Sequence, residues 1–123
     1  VNTQKLGWAL ALCVLSTSAI AAEIQYRDPG DMTEGERAGV MAKTNQYNTC
    51  VYKESMALVD TLPDIRQAAD DAMKKCQPVI DDLKSLVTTA GFDPGFGTQF
   101  AHSAQNRAVR MLIPELALRK SGH

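Results

Sequence analysis

Apolar residues recur along this chain at helical spacing, in three separate runs. The first opens at Thr33-Glu34-Gly35-Glu36. Thr33 is placed to cap the N–H three residues on, and Glu36 to reach back, which is a capping box. Val40, Thr44, Tyr47, Val51, Glu54 and Leu58 then follow at steps of three and four, with Glu54 as the polar interruption. Met41, Asn48, Tyr52 and Val59 form a second stripe on the flank.

Thr61-Leu62-Pro63-Asp64 ends the first helix and starts the next. Pro63 is expected in the first helical turn, where its missing N–H costs nothing, and Asp64 favours the positive helix start. The second stripe is Ile65, Ala69, Ala72, Cys76, Val79 or Ile80, Leu83, and Leu86 or Val87. Pro78 lies inside it, and because the stripe keeps phase a bend is expected there rather than a break. Gly91 is a C-terminal stop. Asp93-Pro94 repeats the order of cap then proline and opens a third helix, with Phe96, Phe100, Ala104, Ala108, Met111 and Leu112 expected inward. Pro114 is expected to interrupt it near residue 112, with a restart as Glu115 to Lys120.

The first twenty-two residues follow a different rule. Lys5 gives a short positive start, Leu6 to Leu15 is apolar apart from Gly7, and Ala19-Ile20-Ala21 is an A-x-A cleavage signal. That order predicts a secretory signal peptide over 1–22, too short for the ~20 apolar residues of a membrane span. Cys13 is discarded with it. A literal Val1, where export signals begin with Met, reads as a GTG start codon and points to a bacterial gene. Residues 23–32, with Pro29, Gly30 and two Asp, are expected to be a flexible leader, and 33–123 a single helical domain.

Export leaves two cysteines, in a compartment where disulfides persist. Cys50 lies thirteen residues before Pro63 and Cys76 thirteen after it. In an antiparallel hairpin of helices, residues equally far from the turn lie at equal height, so the two sulfurs are expected to bond. The expected fold is therefore all-α: a disulfide-stapled antiparallel hairpin plus a third helix, a three- to four-helix bundle.

Charge and composition narrow the function. The whole chain carries −1, and the exported part has twelve basic residues against fourteen acidic. No field of one sign dominates, which argues against nucleic acid as a partner. Asp70-Asp71 and Asp81-Asp82 are adjacent on a helix, diverge by about 100°, and read as a solvated face. The glycines around Phe92-Asp93-Pro94 follow no strand and precede no lysine, so they form no phosphate loop; a corner with Phe92 and Phe96 closing the bundle end is expected. His102 and His123 sit in no nucleophile motif. Met32, Met41, Met56, Met73 and Met111 are too dispersed for a copper site. No cofactor or metal is expected, and no enzyme.

The layout of export signal, one Cys mid-way along each of two helices, and an Arg-bearing third helix resembles small uncharacterised exported helical proteins of proteobacteria with one disulfide. That resemblance implies no activity and carries no catalytic residue across.

What is left is surface. Met41, Tyr52, Met56 and Val59 exceed what one partner helix covers, so either the third helix buries them or they form a docking patch, and the run containing Met111, Leu112, Ile113 and Leu116 is richer in apolar groups than a free tail needs. These are the expected partner-binding residues of a non-enzymatic periplasmic protein that binds another protein as adaptor, inhibitor or accessory subunit; secretion beyond the periplasm is the second location. The alternative is a carrier of a small apolar ligand or haem, with Met41 and His102 as the haem ligands. A homodimer is a further arrangement, as is peripheral membrane contact through Arg107, Arg110, Arg119 and Lys120 at the basic C-terminal end.

Overall fold

The computed structural model describes residues 22–122. The expected export signal, apart from Ala22, lies outside the described residues, as does His123. Four helices form: α1 Glu34–Val59, α2 Ile65–Lys75, α3 Gln77–Thr89 and α4 Pro94–Ser121, preceded by a 3-10 turn at Pro29–Asp31. Among the described residues none is in a strand, so the fold is all-α as expected.

The cross-links between helices fix their directions. Cys50 and Cys76 are bonded, with Cα atoms 6.0 Å apart. Glu54 meets Lys75 at 3.1 Å and Lys43 meets Asp82 at 3.5 Å. Partners thus advance along α1 as they retreat along α2 and α3, so the hairpin is antiparallel. Gln105 donates to Gln77 and Gly97 packs on Val87, so α4 runs antiparallel to α3. Arg119 meets Asp60, which leaves α4 parallel to α1. The architecture is three rods, up, down and up, with the middle rod divided at Cys76.

Local chemistry explains the ends. Thr33 and Glu36 make the capping box, Thr33 Oγ1 accepting from Glu36 N–H at 3.2 Å and Glu36 Oε2 accepting from Thr33 N–H at 2.9 Å. Asp64 caps α2 by accepting from Arg66 N–H, so Pro63 stands before the cap and not in the first turn. Asp93 caps α4 through Gly95 N–H, with Pro94 first in the helix. At the end of α3, Gly91 takes φ 95°, Phe92 N–H donates to Val87 C=O and Gly91 N–H to Thr88 C=O. That is a Schellman ending, with the buried pair Val87 and Phe92 as its apolar contact.

The two internal prolines behave differently, and neither as expected. The helix breaks at Cys76 instead of bending at Pro78. Restarting after Cys76 puts Pro78 in the first turn of α3, where no carbonyl waits for its missing N–H. Cys76 remains buried at the break, and Ala69, Ala72, Cys76, Ile80, Leu83 and Val87 form one buried line across it. Pro114, by contrast, lies within an uninterrupted α4. Pro114 and Arg110, whose carbonyl loses its partner, are both exposed, so water can serve that carbonyl.

The core is thin. Val40, Tyr47, Val51, Ser55 and Val59 are the buried residues of α1. Beyond Val51 the line advances by fours, through Ser55 and Val59, where Glu54 and Leu58 were expected. Steps of four drift by about 40° per step around a helix. On α4 the buried residues are Gly97, Ala101, Ala104, Ala108, Leu112 and Leu116. Phe96 and Phe100 only flank this line and Met111 is exposed, against expectation. A Cβ at Gly97 would sit 3.5 Å from Val87 and 3.6 Å from the Lys84 carbonyl, which shows how closely α3 and α4 approach.

The leader is tied at Arg27 and at Met32, which packs against the core. Arg27 N–H donates to Gly91 C=O, and its guanidinium donates to Ala90 C=O, Asp31 C=O and both Glu36 carboxylate oxygens. The same guanidinium lies 4.6 Å from the centroid of Phe92. Phe92, Phe96 and Phe100 form a tilted row, centroids 6.0 and 6.3 Å apart, that closes this end of the bundle as expected.

Candidate functional site: the groove between α1 and α4

α1 is joined to the middle rod by a covalent bond and two ion pairs. Against α4 it leaves a groove of about 480 Å³, lined by Asn48, Thr49, Val51, Tyr52, Ala108, Met111, Leu112 and Glu115. Val51, Ala108 and Leu112 are buried and make the apolar floor. Tyr52 from α1 and Met111 from α4 stand at its sides, 50% and 62% exposed. Their positions follow from helical spacing: Asn48 and Tyr52 are one turn apart on α1, and Ala108, Met111 and Glu115 succeed one another along one side of α4.

Polar chemistry sits beside this floor. The Oδ1 atom of Asn48 is closed off from solvent and has no hydrogen-bond donor. Glu115 is exposed and makes no ion pair among the described residues. At the upper end, Arg119 pairs with Asp60 at 2.9 Å, which raises its pKa, with a smaller contribution from the Tyr52 phenol. Lys120 Nζ donates to the carbonyls of Val59 and Leu62, a cation on the C-terminal end of α1. Deeper in the bundle, Tyr47 is fully buried and its hydroxyl has no partner meeting hydrogen-bond geometry. Burial pushes the phenol pKa up; Gln105 beside it works in the other direction.

The expected partner-binding residues divide three ways. Met41, Tyr52 and Met111 are exposed, at 64, 50 and 62%. Met56 and Ile113 are partly buried against the core. Val59, Leu112 and Leu116 are core residues, at 0, 4 and 0% exposure, so they are removed from the list of free contact residues. Only Leu112 of these three reaches the groove, from beneath. Of the four bases proposed for membrane contact, Arg119 and Lys120 are turned to the chain's own α1, while Arg107 and Arg110 are exposed. His102 is exposed on α4.

Sequence reasoning missed Asn48, Thr49 and Glu115 as lining residues. The signal was present in part, since Asn48 and Tyr52 share the flanking stripe of α1. Glu115 was obscured by the expected interruption at Pro114, which removed the helical register connecting it to Met111.

Among the described residues no group of three or more His, Cys, Asp or Glu is placed to hold a metal ion. None of the described helices is long and apolar enough to cross a membrane. No protein-family model, no curated protein and no solved structure matches this chain.

Proposed function

We propose that this chain is an exported, non-enzymatic helical protein of the bacterial periplasm that docks another protein along the α1–α4 groove. One observation carries the reading: Tyr52 and Met111, large and mostly exposed, flank an apolar floor, with Met41 continuing the same face of α1. Exposed apolar groups gathered around a concave floor mark binding surfaces, whereas single ones scattered over a surface do not. The disulfide supports the address, because such bonds persist in oxidising compartments.

The test places a photo-crosslinking residue at Tyr52, at Met111 and, as control, at Asp70 on the outer face of α2, in the protein's own bacterial host. The expected result is one discrete crosslinked protein from the first two positions and none from the third. Absence of a crosslink at both groove positions removes the reading. Intact mass analysis of the same protein is expected to show a chain beginning at Ala22 or Glu23 and no free thiol.

The groove volume favours a second reading, a carrier of a small apolar ligand, because ligand clefts usually measure about 300–1,000 Å³. Native mass spectrometry separates the two: a co-purified small molecule supports the carrier.

A further inference from the structure

We infer that Met41 and Met111 are the sites at which peroxide first modifies the exported chain, and that a sulfoxide at Met111 shuts down docking in the α1–α4 groove while the bundle stays folded. The second half rests on the docking reading above and adds its regulation; the first half stands on exposure alone.

Oxidants find few soft targets in this protein. Both cysteines of residues 22–123 are already joined, so no thiol is left to compete. The chain's single tryptophan, Trp8, falls in the expected export signal. The thioethers of Met32, Met41, Met56, Met73 and Met111 remain. In each, the sulfur lone pair attacks one peroxide oxygen, the O–O bond breaks, and the departing hydroxide takes up a proton as water. Sulfur gives up an electron pair and peroxide receives it. The product is a polar, chiral sulfoxide in place of a flexible apolar side chain.

Burial then sorts these side chains. Met41 and Met111 are 64 and 62% exposed. Met32, Met56 and Met73 are partly buried and packed against the core. An oxidant in solution reaches the first pair directly, and meets the other three only as the packing around them opens. The consequences differ as well. A sulfoxide at Met56 or Met73 sets a polar oxygen against apolar neighbours, which loosens the bundle. A sulfoxide at Met41 or Met111 faces water and costs the fold little. Met111, however, lines the groove, at the side of the apolar floor formed by Val51, Ala108 and Leu112. Its oxidation replaces an apolar wall of the docking surface by a hydrated one, and a partner must strip that water to seat. Met41 lies outside this lining, so its oxidation touches the groove less.

Treating the exported chain with hydrogen peroxide at rising dose tests the first half, with each methionine followed by peptide mass mapping and the same samples melted by circular dichroism. Met41 and Met111 are expected to gain oxygen before the other three, with the melting temperature unchanged until Met56 and Met73 begin to react. Equal rates at all the methionines, or a fall in melting temperature with only Met41 and Met111 oxidised, overturn the inference. Docking is read in the host, as the crosslink yield from the photo-crosslinking residue at Tyr52 in peroxide-treated cells relative to untreated ones. Most of that yield is expected to be lost in step with Met111 oxidation. Met111→Leu leaves no thioether there, and its treated-to-untreated ratio is expected not to fall. A crosslink that survives full Met111 oxidation, or that falls equally in Met111→Leu, overturns the inference and leaves protein docking standing. Absence of the crosslink before any peroxide is added removes the docking reading, and the control of docking with it.

Discussion

Helix α1 has two seams, and they are built on opposite plans. Toward α2 and α3 it is closed by the Cys50–Cys76 bond, flanked by the ion pairs Glu54–Lys75 and Lys43–Asp82, with Arg27 bridging Glu36 to the end of α3 at its foot. Toward α4 the C-terminal end of α1 is tied by Arg119 to Asp60 and by Lys120 to the Val59 and Leu62 carbonyls, and below those ties the groove is open. There the floor is apolar, the sides carry exposed Tyr52 and Met111, and the Asn48 and Glu115 acceptors are unused by the fold. Polar groups that stabilise a fold are normally paired within it. The closed seam obeys that rule, whereas in the groove the buried Asn48 Oδ1 does not, and it is along this stretch that docking is proposed.

Breaking the closed seam is expected to have the largest effect. Seven of the buried positions are Gly97, Ala68, Ala69, Ala72, Ala101, Ala104 and Ala108, which bury few methyl groups between them. Full burial of a Leu- or Ile-sized side chain stabilises by about 1.5–3 kcal/mol, and this core has few of that size. The disulfide closes a loop with a sequence separation of 26, worth about 3.5 kcal/mol on the chain-entropy account. Replacing both cysteines by alanine is expected to lower the melting temperature by roughly 15–25 °C for a domain of this size. A fall of only a few degrees means that α1 is held by packing alone, and the contrast between the seams loses its basis.

That seam was also the most legible part of the chain. The placement of Cys50 and Cys76 around Pro63, the capping box at Thr33 and the Asp93-Pro94 start are short-range signals, and each is where it was expected. What failed depended on tertiary context. Pro78 and Pro114 follow the same local rule, yet one follows a break at Cys76 and the other lies within a continuous helix; exposure does not separate them, since Lys74 and Arg110, four residues before each, are both exposed. The pattern places Val59 and Leu116 among the contact residues, yet both are buried, because a stripe on one helix does not reveal how far a parallel neighbour covers it. Arg27 gave no sequence signal at all: its partners Ala90 and Gly91 are about sixty residues away, and three of its hydrogen bonds go to backbone carbonyls, which any sequence supplies. The groove was half legible. Its exposed sides are as expected, while Glu115 joins them because α4 continues through Pro114.

A smaller effect tests the interior where the seams meet. Tyr47 keeps a fully buried hydroxyl with no hydrogen-bond partner. An unsatisfied buried polar group costs about 1–3 kcal/mol, and removing it without changing shape is neutral or stabilising. Tyr47→Phe is expected to leave stability unchanged or raise it by up to about 1 kcal/mol in urea titration. A loss beyond that range means that the hydroxyl is bonded to Gln105 in solution, extending the chain Gln105–Gln77–Asp81 into the core.

The smallest effect is local and depends on pH, at the foot of the closed seam. Bonding to Arg27 holds the Glu36 carboxyl below the ordinary value of 4.5, and the Thr33 backbone N–H adds to the shift. A carboxylate with a depressed folded pKa contributes stability that is complete above its unfolded value and is lost as the pH falls through the folded one. Both members of the pair are solvent-facing, so global stability is expected to change little. The leader should respond instead. As the pH falls through this depressed folded value, Glu36 gains a proton, Arg27 loses its anionic partner, and the capping box loses the charge that favours the start of α1. Hydrogen exchange at the Arg27 N–H, bonded to Gly91 C=O, is expected to rise beyond the normal pH dependence of exchange in that range, while amides around Cys50 and Cys76 remain protected. Glu36→Gln is expected to reproduce the release at neutral pH. If it leaves Arg27 protected, the carbonyls of Ala90 and Asp31 and the face of Phe92 suffice to hold the leader, and the foot of this seam is closed by geometry and not by charge.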